Sequence, residues 1–223
     1  DGLEGFKLAL AAANSQDNEW KMVDPIISTD DSLDELVDKF GVLIDGAMKD
    51  FFYHLDKDAL QEAIDVIKHA RRICLMGIGA SMLPAYDLFH KLKRADFNAS
   101  YYFDVNMQVE FFNYIDERDV IIAFSYSGQS QEILYPCRIA KEMKSKVIAV
   151  TRNRESALQQ IADICLTVPD KEAVMRIGAF TSLHTSIMMG DLLYLGVSQE
   201  DLEQIEVELI KTRKLVEGLK TGL

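Results

Sequence analysis

The sequence predicts an α/β fold: a parallel sheet with helices on both faces. Three observations carry that expectation. Short apolar runs recur at residues 73–76, 120–124, 147–151 and 164–168, and runs of this length read as strands buried on both sides. Helical patterns separate them, and strand–helix alternation implies parallel strands joined by right-handed crossovers. Glycine and serine cluster directly after two of the runs, at residues 77–81 and 125–130, where open sheets hold ligands.

Composition sets the outer bounds. At 223 residues and 48% hydrophobic content the chain can bury a sizeable core, and it is too apolar for disorder. The balance of 24 Lys and Arg against 36 Asp and Glu gives a net charge of −12. Such an acidic surface argues against this part gripping nucleic acid directly, though another part of the same polypeptide could do so. No apolar run is long enough to span a membrane, and no secretory pattern opens the chain. The expectation is a cytoplasmic protein without membrane contact. Cys74, Cys137 and Cys165 lie far apart in sequence and read as small core residues in a reduced compartment, with no metal or cofactor implied. The start at Asp1, in mid-pattern, suggests a piece of a longer polypeptide.

In chain order, residues 1–13 have helical spacing and 14–31 read as a linker broken by Pro25. Ser32 with Glu35 three residues on is a capping box, and a helix follows with an apolar stripe from Leu33 to Phe51. That stripe fits a dimer contact or intramolecular packing equally well. A second amphipathic helix covers 58–72. Strands are then predicted at 73–76, 99–103, 120–124, 147–151 and 164–168, and helices at 82–93, 105–114, 131–144, 156–162, 180–197 and 199–218.

The turn 125–130, Ser-Tyr-Ser-Gly-Gln-Ser, joins a buried strand to a helix start. Unpaired helical N–H groups, the helix dipole and three hydroxyls make such a turn an anion cradle. The plainer alternative is a polar turn with Ser127 or Ser130 as N-cap. In the turn 77–81, Gly79 would let backbone approach a ligand and Ser81 would offer a hydroxyl; the alternative there is tight turn geometry alone. Met82 stands where a dinucleotide fingerprint needs glycine, and no Walker A loop is present. Two short loops suit one small phosphorylated ligand.

Ser125-x-Ser127-Gly128-x-Ser130-x-Glu132 resembles the S-x-S-G-x-[ST]-x-E signature of the SIS (sugar isomerase) domain, and Gly77-x-Gly79-x-Ser81 is similar to that family's first loop. Residues 58–72, running into RRICLMGIGAS, and the opening Gly2-Leu3-Glu4-Gly5-Phe6 resemble RpiR-type transcriptional regulators. The resemblance implies a three-layer α/β/α sandwich, flavodoxin-like, with five parallel strands in the order 2-1-3-4-5. It implies a tail of a helix-turn-helix domain plus linker over 1–31 and a phosphosugar-binding domain over 32–223. It implies Ser81, Ser125, Ser127, Gln129 and Ser130 as phosphate and sugar contacts, with Arg176 reaching the ligand from a later loop. Expected partners are a phosphorylated sugar, a second copy of the chain in a homodimer or higher oligomer, and DNA through the N-terminal domain mostly absent from this chain.

Isomerising a phosphosugar would need a general base. The weak candidates are Glu172 and His184. Glu172 precedes Arg176 by four residues, the spacing of a helical ion pair. His184 lies on an apolar helix, where packing or hydrogen bonding is the commoner role. Glu132 reads as a helix-start carboxylate. The reading is therefore a sensor domain of a regulator of sugar-metabolism genes, not an enzyme; the alternative is a stand-alone aldose–ketose isomerase.

Overall fold

The computed structural model describes residues 27–172 and 178–221. Helices α1 (Leu33–His54) and α2 (Lys57–His69) precede β1 (Arg72–Gly77). A 3-10 turn (Gly79–Ser81) leads into α3 (Met82–Arg94), followed by β2 (Ala99–Ser100). Helix α4 (Val105–Glu110) tightens into a second 3-10 turn (Phe111–Tyr114) before β3 (Asp119–Phe124) and α5 (Gln131–Glu142). Then come β4 (Lys146–Arg152), α6 (Ala157–Ile161), β5 (Ile164–Val168), α7 (Phe180–Ser198) and α8 (Leu202–Thr221).

The strands form one five-stranded sheet in the order β2-β1-β3-β4-β5, every neighbouring pair parallel. This is the expected order. The chain reverses direction of travel across the sheet between β1 and β3, so their carboxyl ends flank the switch point at which open sheets bind ligands. Gly77 lies level with Phe124, and Phe124 with Val150. The turns leaving β1 and β3 therefore open at the same edge.

Strand periodicity divides the core into two layers. Ile73, Leu75, Val120, Ile122, Phe124, Ile148 and Val150 face one side, against Ile64 and Ile67 of α2, Leu88 and Leu92 of α3, and Met189 and Leu193 of α7. Cys74, Met76, Ile121, Ala123, Val147 and Ala149 face the other, against Ile133, Leu134 and Cys137 of α5 and Leu158 of α6. Burial on both faces is what makes these strands continuous apolar runs instead of alternating ones. Cys74 and Cys137 are buried free thiols, and burial pushes both up to about 12, which keeps them protonated and inert.

The expected capping box is present: the Ser32 hydroxyl accepts from the Glu35 N–H at 3.3 Å and Glu35 Oε2 accepts from the Ser32 N–H at 2.8 Å. Ala47 and Phe51 of the α1 stripe are buried, and the Phe40 ring packs edge-on against Phe180. Leu33 and Val37 stay 75% and 59% exposed. Several boundaries differ from expectation, and α2 ends at His69 instead of 72. Strand β2 is two residues long, because Tyr101 and Phe103 leave the sheet edge to pack with Tyr86. Helix α5 ends two residues early, where Lys144 adopts φ 61° and the Ser145 N–H turns back to the Ala140 carbonyl at 2.9 Å. Helix α8 starts at Leu202 instead of 199. The 1–13 helix and most of the 14–31 linker lie outside the described residues.

Candidate functional site

A cavity of about 350 Å³ lies at the carboxyl edge of the sheet, over the switch point. Its polar wall is Ser81, Ser125, Ser127, Ser130, Arg152 and Glu172, and its apolar wall is Ile78, Ala80, Phe124 and Tyr126. The size and the mixture of apolar lining with a few polar groups suit a small polar metabolite.

The turn after β3 is held by backbone geometry. The Ser125 N–H donates to the Val150 carbonyl at 3.0 Å, and the Gly128 N–H donates to the Ser125 carbonyl at 3.1 Å. Gly128 has φ 64°, and a Cβ there would sit 2.3 Å from Ser156 Oγ, so the position admits only glycine. Ser127 Oγ accepts from the Gln129 N–H at 3.3 Å. Ser130 is the N-cap of α5, and its hydroxyl makes no capping bond to the helix. A hydroxyl thus stands at a helix N-terminus without serving the helix, in the wall of a cavity.

The turn after β1 works differently. Gly77 is pressed against the chain that passes over it: a Cβ there would lie 2.3 Å from the Ser81 carbonyl oxygen. Gly79 has φ 56° with open space around it. It is not a wall residue. Its positive φ makes the left-handed step that turns the chain toward α3, and its neighbours Ile78 and Ala80 both line the cavity. Ser81 does reach the wall.

Of the other expected contacts, the Gln129 side chain is exposed and is not part of the wall. Arg176, and with it the expected Glu172–Arg176 pair, lies outside the described residues. Glu172 lines the cavity, but its carboxylate is committed to the start of α7. Oε1 accepts from the Thr181 hydroxyl at 2.9 Å and the Ser182 N–H at 2.7 Å, and Oε2 accepts from the Ser182 hydroxyl at 2.7 Å. The N-cap residue of α7, Ala179, makes no side-chain cap of its own. Glu172 supplies it from a distance. His184 sits one turn into α7 and does not line the cavity. Its Nδ1–H donates to the Phe180 carbonyl at 2.6 Å, which fixes the tautomer inside the helix. Glu132 is exposed in the first turn of α5.

Five wall residues were not anticipated as ligand contacts: Ile78, Ala80, Phe124, Tyr126 and Arg152. Arg152 ends β4 at the same sheet edge as the serine turn. Among the described residues it is the one Lys, Arg or His in the wall. Its position at the carboxyl end of a buried strand was the available signal.

A family description, SIS domain, matches residues 66–196. The chain is also 30% identical over 221 residues to an uncharacterized HTH-type transcriptional regulator of Escherichia coli K12, covering 98% of this chain and 78% of that protein. The chain belongs to the SIS domain family and to that family of HTH-type regulators. Among solved structures, this chain superimposes with a TM-score of 0.78 on the Vibrio vulnificus NanR protein complexed with ManNAc-6P, at 22% identity, covering 98% of this chain and 76% of that one. It superimposes with a TM-score of 0.71 on the sugar isomerase domain of an RpiR transcription factor from Sphaerobacter thermophilus, at 16% identity, covering 81% of this chain and 99% of that one. The SIS match begins inside α2, so α1 stands before it.

Proposed function

We propose that this SIS domain is the phosphosugar-sensing part of a bacterial, cytoplasmic transcriptional regulator of sugar-metabolism genes. The observation that carries the reading is the wall itself: four serines and one arginine around one cavity at the sheet's switch point. Hydroxyls and a guanidinium bind a phosphate by charge-assisted hydrogen bonds, and the unpaired N–H groups opening α5 favour negative charge. The NanR structure, which holds a phosphorylated sugar on the same fold, supports it. So does the regulator name of the E. coli relative.

The sensor reading is favoured over an isomerase because the one carboxylate in the described wall is bound up as a helix cap. A base must be placed against a substrate proton, and both oxygens of Glu172 already face donors on α7. The exposed N-terminal half of the α1 stripe suits a second copy of the chain, and DNA would be met by a helix-turn-helix part outside the SIS domain. For ligand binding to regulate DNA binding, the sugar must favour one arrangement of the assembly over another. Calorimetric titration with a panel of sugar phosphates, run beside an aldose–ketose interconversion assay, tests the reading. Binding without turnover is expected. Turnover abolished by Glu172→Ala or His184→Ala would replace the sensor with the enzyme.

A further inference from the structure

The chain between β5 and α7 meets both the cavity and α1 within four residues. Asp170 Oδ1 stands 3.4 Å from Arg152 Nη1. Lys171 forms an ion pair with Asp50 of α1. Glu172 holds the first turn of α7. A second, smaller cavity of about 220 Å³ is walled by α1 on one side, through Asp50, Phe51 and His54, and by Asp170 and Lys171 on the other.

Arg152 is poorly matched in this arrangement. Its side chain is 17% exposed, and its Nε is buried with no hydrogen-bond partner among the described residues. Its guanidinium carbon lies 5.9 Å from the Tyr126 ring centroid, and the bond to Asp170 is long. Guanidinium favours paired acceptors across Nε–H and Nη–H, and a phosphate in the adjoining cavity offers that geometry with more charge than a carboxylate.

Resting on the phosphosugar reading, we propose that Arg152 selects the phosphorylated ligand and reports its arrival: the guanidinium trades Asp170 for the ligand's phosphate, and the released segment 169–172 carries the change to α1 through Lys171 and Asp50. Asp50 is in the last two turns of α1, whose other end leads back toward the chain's N-terminal part. The Lys171–Asp50 pair is half exposed and contributes little stability by itself. Its role is positional, tying a segment that moves to a helix that must respond.

The test titrates the 223-residue chain with ManNAc-6P, glucose 6-phosphate and fructose 6-phosphate, and with the three unphosphorylated sugars. Amide hydrogen exchange along α1 is followed in parallel. Arg152→Gln is expected to weaken the bound sugar phosphate by about tenfold or more, the scale of a lost hydrogen bond to a charged group. Arg152→Lys should recover part of it, and Asp170→Asn, which removes the competing charge, should tighten it. Lys171→Met should leave affinity within about twofold yet abolish the ligand-induced change in α1 exchange. Wild-type affinity in Arg152→Gln, no tightening in Asp170→Asn, or an undiminished α1 response in Lys171→Met overturns the proposal while leaving phosphosugar binding intact. A wild-type chain that binds none of the phosphates overturns the underlying reading and this proposal with it.

Discussion

Glu172 and Ser182 are joined twice: Oε2 accepts from the Ser182 hydroxyl and Oε1 from the Ser182 backbone N–H, each at 2.7 Å. A cavity carboxylate is thereby turned into the cap of a neighbouring helix. Glu172→Ala removes the acceptor for three donors at the head of α7, and the expected loss is about 1–2 kcal/mol of stability. Chemical denaturation measures it. An unchanged midpoint would mean that the carboxylate does not support the helix.

Ser127 and Ser130 separate binding from folding. The Ser130 hydroxyl makes no cap bond, so Ser130→Ala should cost less than about 0.5 kcal/mol of stability, where a working N-cap costs about 0.5–2. Both Ser127→Ala and Ser130→Ala should weaken sugar-phosphate binding by about 1.5–3 kcal/mol. Thermal melts and calorimetry on the same two variants provide the comparison. A Ser130→Ala variant that melts early and binds normally would make that serine a cap.

The two left-handed glycines should differ. Both Gly79→Ala and Gly128→Ala carry the conformational penalty of positive φ, about 1–2 kcal/mol. Only at Gly128 does the new Cβ also strike Ser156. Gly128→Ala should therefore be the more destabilising of the pair, and Gly79→Ala should keep its ligand affinity. Equal losses in denaturant would contradict the packing at Gly128.

Acid stability should depend on Asp119, whose side chain is fully buried at the opposite end of the sheet. Burial raises its pKa, but hydrogen bonds from Arg71 and Arg72 outweigh that and hold it at about 2, below the usual 3.8. A depressed folded-state pKa means the stabilisation is complete above about pH 4 and is lost as pH falls toward 2. The amount at neutral pH is about 2 kcal/mol. Urea midpoints of the wild type should fall over that window, and Asp119→Asn should be less stable at pH 7 and flatter in acid. An acid profile identical in the two proteins would remove Asp119 from the account.

The sheet was legible because each buried strand is a bare apolar run, and the site's core was legible because Ser125, Ser127 and Ser130 crowd one strand end. What escaped was set by distance in sequence. Arg152 ends a strand 26 residues beyond Tyr126 in the chain, and only the β3–β4 pairing brings the two together. Gln129 holds the motif position and is exposed outside the cavity lining, which motif spacing does not reveal. Glu172 reads in the sequence as half of a local ion pair, and local spacing does not reveal that its carboxylate also bonds to residues nine and ten positions on. Strand β2 stopped short because aromatic packing at the sheet edge outweighed the strand propensity of Tyr101 and Phe103.

The central claim, that the serine-lined cavity holds the charged end of a phosphorylated sugar, is tested most directly by a crystal structure of the chain soaked with a sugar phosphate that binds in solution. The account predicts phosphate density within hydrogen-bonding distance of the Ser127 and Ser130 hydroxyls and the first N–H groups of α5, with the sugar extending toward Ser81. An empty cavity with the ligand seated elsewhere on the chain would contradict it.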